Sequence, residues 1–143
     1  MDDTRDTKAE PRWFMAAAIA AVLWELLGCA MYILQVTADR AALPIDQRAM
    51  WEATPTWMIG AYAFAVWTGL AGAVLLAMRR RLAEPVLLVS LIAVVVQFSG
   101  LLLVPALRDR TPADAWLLPI VIVAVSSAIW HFARRARASG WLR

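Results

Sequence analysis

One cysteine and one histidine supply the only thiol and the only imidazole in this sequence. Cys29 has no partner for an internal disulfide, and a metal site built on Cys29 and His131 alone would lack the several convergent donors that such a site needs. Charge is also scarce: Asp, Glu, Lys and Arg make up 17% of the chain, against roughly 25% in ordinary soluble domains. There is no Gly-rich phosphate loop, no nucleophile motif and no pair of acids set for general acid–base work. The chain is therefore read as non-enzymatic, with no catalytic residue, no metal site and no cofactor.

What the sequence has is apolar length. Hydrophobic residues make up 62% of its 143 positions, and mean hydropathy is +0.64, the composition of a membrane protein rather than a soluble domain. The net charge is +3 and the pI about 9.8. The basic residues sit in short clusters between apolar runs, which suits membrane topology better than nucleic-acid binding. Four runs are long enough to span a bilayer, at about 13–36, 57–78, 85–107 and 113–133, between a polar tail at 1–12 and a basic tail at 134–143. Val36-Thr37-Ala38 could imitate a signal cleavage site, but the acidic leader and Glu25 argue for a retained anchor.

The predicted fold is all-α, a bundle of four transmembrane helices. A short interfacial helix is expected at 45–53 between spans one and two, after Pro44 and resting on the interface through Trp51, as a lid or a plain spacer. The turn at 79–85 is too short to do more than reverse the chain, so spans two and three are antiparallel neighbours. Arg5, Lys8, Arg12, Arg79, Arg80, Arg81, Arg134, Arg135, Arg137 and Arg143 would lie on one side and Arg40, Arg48, Arg108 and Arg110 on the other. That asymmetry predicts both termini in the cytoplasm. Trp13, Trp57, Trp116, Trp130 and Trp141 are placed to mark membrane edges.

Packing signals are clearest in span two, where Ala61, Ala65, Gly69, Ala73 and Ala77 recur every fourth residue with Gly72 beside them. Such a ridge lets another helix approach closely, so a bulky residue at Gly69 should cost more than one at Leu75 or Leu76, which are read as facing lipid. Span one offers a matching face in Ala17, Ala21, Gly28 and Cys29, with Tyr32 one turn on, and it carries Glu25 at its centre. A carboxylate there costs roughly 2.5–3.5 kcal/mol on insertion scales, so it should face protein or water.

Counting helical rise from the span ends sets Glu25 and Gln97 twelve residues deep and Thr68 ten. A polar cluster of Glu25 with Gln97, Thr68 or Tyr32 is then available if their faces converge. Two readings of it compete. In one, Glu25 is neutral and hydrogen-bonded, holding helices together; in the other it relays protons or cations, or binds a polar solute, in a hydrated cavity. Cys29 reads as a small packing residue, His131 as a helix-end interface residue, and Trp24 and Trp67 as packing or lipid-facing aromatics.

At Leu23-Trp24-Glu25, Gly28 and Tyr32, then Pro55-Thr56-Trp57, then Val66-Trp67-Thr68-Gly69-Leu70-Ala71-Gly72 running into Leu75-Leu76 and a basic turn, the chain resembles a family of small bacterial inner-membrane proteins. That family is uncharacterised, has four predicted helices and is often labelled automatically as "sugar transporter". The likeness covers about residues 20–100. At the position of Glu25 the family tends to have Asn, which implies that no titrating carboxylate is needed for whatever the family shares; around Met31 the family is more polar, a departure that weakens any binding site carried over from it. The chain shows no inverted repeat of the size usual in secondary carriers.

The expected function is that of an integral inner-membrane protein without catalytic chemistry, a helix bundle or partner subunit contacting the lipid bilayer and a second copy or another membrane protein. The alternative is a small transporter or channel for protons or a small polar solute, working as an oligomer. A membrane-embedded enzyme or quinone-binding subunit is the third class.

Overall fold

The structure, a computed structural model, describes residues 10–143; of the orienting charges, Arg5 and Lys8 lie outside the described residues, as does most of the tail at 1–12. Its elements are α1 (Phe14–Thr37), α2 (Ile45–Ala53), α3 (Thr56–Ala77), α4 (Ala83–Leu103), α5 (Pro105–Arg108) and α6 (Leu117–Ala138), with 3-10 turns at Arg40–Ala42 and Ala113–Trp116. There is no strand among the described residues. Four of the helices, α1, α3, α4 and the Ala113–Ala138 segment that contains α6, are long and apolar enough to cross a bilayer.

Local chemistry sets the helix ends. Pro44 and Pro55, both extended, sit just before α2 and α3, where a missing N–H leaves nothing unsatisfied. Pro85 falls in the first turn of α4, where it is tolerated, and Pro105 ends that helix by forcing Val104 into extended backbone at φ −97° and ψ 105°. α3 and α6 stop in the same way, with a left-handed residue after the cap and a backbone N–H reaching back five positions. In α6 that residue is Gly140 at φ 75°, and Trp141 N donates to Ala136 O at 2.9 Å. In α3 it is Arg79 at φ 59°, with Arg80 N donating to Leu75 O at 2.8 Å.

A left-handed arginine costs roughly 1–2 kcal/mol relative to glycine, and its surroundings hold it in place. Its guanidinium pairs with Glu10 at 2.8 Å. Its carbonyl accepts from Arg143 N at 2.6 Å, and Arg81 N donates to Arg143 O at 3.0 Å. The last residues of the chain therefore fold back onto the α3–α4 turn, and Glu84 of α4 pairs with Arg137 of α6 at 2.5 Å beside them.

The helices pack in the order α1, α3, α4, α6, with α3 between α1 and α4. α1 and α6 meet at the end that carries the 79–82 turn, where Phe14 stacks on Phe132 and Trp141 with ring centroids 5.4 and 6.0 Å apart. That end holds the main core: Phe14, Ala18, Leu76, Ala83, Leu87, Ala133, Ala136 and Leu142 are buried together. Leu76 was expected to face lipid. It is fully buried, because the end of α6 and the returning tail cover its face of α3. Toward the opposite end the outer faces are open and apolar, with Leu23, Leu34, Leu103, Leu117 and Ile120 all exposed, the surface a bilayer would cover.

Leu142 is 1% exposed in a core to which four helices contribute. Leu142→Ala should lower stability by about 2–4 kcal/mol, the usual cost of a large cavity in a core, read as an earlier thermal midpoint of the detergent-solubilised protein. A midpoint equal to that of wild type would mean that the tail contributes nothing to the fold.

Candidate functional site

The buried residues of α1 are Phe14, Ala18, Ala21, Glu25 and Cys29, spaced three or four apart on one face. Small residues on either side of Glu25 bring that face close to α3. Directly across from it stands Gly69, and a Cβ added there would overlap the carboxylate of Glu25 and come within 2.9 Å of Ser90 Oγ from α4. Three helices thus meet at one point, and the carboxylate occupies the volume a side chain at position 69 would need. Glu25 is 8% exposed.

The polar groups around it are turned elsewhere. Ser90 Oγ donates to Ala65 O at 2.8 Å. Cys29 Sγ donates to Val66 O at 3.4 Å, tying α1 to α3 one turn farther on. The Thr68 hydroxyl donates to Phe64 O at 2.6 Å on its own helix. Among the described residues no donor meets the Glu25 carboxylate. Tyr32 stacks edge-on against Tyr62 with centroids 5.2 Å apart.

Gln97 lies elsewhere. It lines a cavity of about 350 Å³ near the end opposite the 79–82 turn, together with Gln35, Trp51, Tyr62, Phe98 and Leu118. Tyr62 precedes Gly69 by seven residues on α3, so the cavity is about 10 Å along the helix from Glu25. No hydrogen bond joins Glu25 to Gln97, to Thr68 or to Tyr32. Equal counts from the helix starts give equal depth only if those starts are level. Glu25 and Ser90 are level with Gly69, yet they stand eleven and seven residues inside α1 and α4, so α1 begins about 6 Å farther out.

The packing residues sort by helix face. Ala65, Gly69, Gly72 and Ala73 are buried. A Cβ at Gly72 would come within 2.7 Å of the Leu87 side chain and 3.2 Å of its backbone nitrogen, so Gly72 sets the approach of α4, as Gly69 sets that of α1. At Gly28 an added Cβ would make ordinary contact with Val66 at 3.5 Å. Ala61 lines a shallow, apolar groove of about 530 Å³ between α3 and α4. His131 is exposed, and no three His, Cys, Asp or Glu side chains cluster among the described residues. Ser90, Tyr62 and Gln35 join these sites without a sequence signal beyond polarity within an apolar run.

Because Glu25 and position 69 compete for one space, their substitutions should couple. Gly69→Ala alone is expected to cost about 1–3 kcal/mol by overpacking. Combined with Glu25→Ala it should cost clearly less, with a coupling of about 0.5–3 kcal/mol in a double-mutant cycle. Strict additivity of the two would show that the carboxylate does not rest on Gly69. No protein-family model, curated protein or solved structure matches the chain.

Proposed function

We propose that this is a multi-pass protein of the bacterial inner membrane, with both termini cytoplasmic and no catalytic chemistry, which acts as a helix bundle or as a partner subunit of a membrane assembly. The resemblance of residues 20–100 to small four-helix inner-membrane proteins supports the location. The orientation rests on the cationic side of the molecule, where the turn containing Arg79, Arg80 and Arg81 meets Arg143.

One observation carries the bundle reading: Glu25, the only carboxylate in the middle of a span, lines neither cavity and stands apart from Thr68, Tyr32 and Gln97. A relay passes protons along groups in mutual hydrogen-bond reach. Here the polar side chain beside Glu25, Ser90, is committed to a backbone carbonyl. A neutral carboxylic acid seated against glycine fills the space between three helices without a charge to solvate.

The second reading, a small transporter or channel for protons or a small polar solute working as an oligomer, draws on a different fact. Among the described residues no donor meets the Glu25 carboxylate, and hydrogen-bonding capacity unused in hydrocarbon is costly.

Reconstitution separates the two. In proteoliposomes with an internal pH dye and an imposed potential, wild type and Glu25→Gln should both be silent, and the amide variant should be at least as heat-stable as wild type. Proton flux in wild type that disappears in a folded Glu25→Gln protein would replace the bundle reading with the relay. The topology has its own test: alkaline-phosphatase fusions within 79–82 should be inactive and fusions within 108–114 active. The reverse pattern would turn the protein over in the membrane.

A further inference from the structure

The cavity of about 350 Å³ has a composition that its position in the bundle does not require. That volume falls in the range of about 300–1,000 Å³ typical of small-molecule sites. Among its lining side chains, Gln35, Gln97 and Tyr62 carry hydrogen-bonding groups that make no hydrogen bond among the described residues. Gln97 and Tyr62 each stand six residues inside the near ends of α4 and α3, about 9 Å from them. In a bilayer that depth is within hydrocarbon, where a free amide or phenol needs a partner.

The remaining walls are apolar or aromatic except for Thr54 and Thr111, whose hydroxyls donate to Met50 O and Leu107 O at 2.8 and 2.7 Å. Trp51, from α2, forms part of the lining and is itself held by the Arg40 guanidinium 5.1 Å above its ring. α2 is tied at its middle to the segments on either side of it, Arg48 Nε donating to Arg40 O at 3.0 Å and Arg110 to Ala49 O at 3.3 Å. Opposite it Met58 rests on Gly100, where an added Cβ would come within 2.7 Å of the Met58 methyl carbon. Among the described residues no charged side chain lines the cavity. Two of its lining residues, Leu118 and Val36, are 65% and 37% exposed on the outer surface, so the cavity adjoins the face a bilayer would cover.

We infer that this cavity binds an uncharged amphiphile taken from the bilayer, its oxygen-bearing head held by Gln97, Tyr62 and Gln35 and its short apolar body against Trp51, Phe98 and Leu118. Neutrality follows from the lining, because a charged head would find no counterion there and would lose its hydration. The head must combine acceptors with donors, as hydroxyls and carbonyls do, since amide and phenol groups offer both. The amphiphile's apolar part follows from the aromatic wall and the exposed leucine at the mouth. This inference is independent of the role of Glu25.

The probe is radiolabelled 1-monooctanoylglycerol, equilibrated by dialysis with the full-length protein in phosphatidylcholine nanodiscs, with empty nanodiscs subtracting partition. Uptake should saturate near one molecule per chain. Gln97→Leu should weaken it about tenfold and Tyr62→Phe, which keeps the ring and its packing, about fivefold. Leu23→Ala, on the outward face, should leave it unchanged. Octanoate, with the same chain and a charged head, should not compete, and neither should glycerol, which lacks the chain. Competition by glycerol equal to that of the ester would identify a soluble polyol as the ligand and overturn the bilayer source. Absence of saturable uptake in wild type would overturn the site, as would wild-type affinity in both Gln97→Leu and Tyr62→Phe.

Discussion

The missing side chains at Gly69 and Gly72 fix the distances between the helices, and much of the bundle depends on them. Between apolar helices in a lipid phase there is little hydrophobic drive to associate, so close van der Waals contact and a few polar bonds must hold them together. Gly69 lets α1 bring a carboxylate against the α3 backbone, and Gly72 lets Leu87 of α4 do the same with a branched side chain. The bonds that cross these contacts, from Ser90 to Ala65 O and from Cys29 to Val66 O, end on α3 carbonyls within one turn of Gly69. Backbone groups already used within a helix can accept a second bond only from a donor that comes very near, and the small ridge makes that approach possible.

The two ends of the bundle are built differently. At the 79–82 turn, four helices and the returning tail enclose a core with Phe14, Leu76 and Leu142 at its centre. Ion pairs from Glu10 to Arg79 and from Glu84 to Arg137 rim it. These pairs are partly exposed, so their worth is modest, at most about 1 kcal/mol each; the buried apolar groups hold the end closed. At the opposite end the connections are longer and carry α2, α5 and two 3-10 turns, and the space they cover is left partly open. A bundle tied at one end and looser at the other can open or fill the loose end with little disturbance to the tied one.

Much of this architecture is legible in the sequence. Apolar length alone gives four long helices, and Pro44 and Pro55 bracket α2 at 45–53, where the structure has it. The i+4 ridge of α3 points to the buried face because Ala65, Gly69 and Ala73 have no other reason to recur at that spacing. What is not legible depends on how helices slide against each other and on what returns to cover them. Leu76 reads as lipid-facing until Leu142 and Ala133 are folded onto it, and nothing local in the basic tail announces that its penultimate leucine is core. Gln97 reads as level with Glu25 until the offset between the starts of α1 and α4 is known. Periodicity specifies a face; only tertiary contact specifies a depth.

That offset has a further result. Had the helix starts been level, Glu25 and Gln97 would differ in depth by only about one helical turn, near enough for a carboxylate and an amide to approach one another in the middle of the bundle. Sliding α1 outward by about one turn leaves Glu25 with Ser90 and Gly69, and Gln97 with Tyr62 and Gln35. The first group is tight and leaves no room for a ligand, since even a methyl group at position 69 would collide with it. The second surrounds a space and leaves its hydrogen-bonding groups unused. Polar groups that meet one another hold helices together, and polar groups kept apart around a cavity are available to something else; in this chain a single register between α1 and α4 decides which are which.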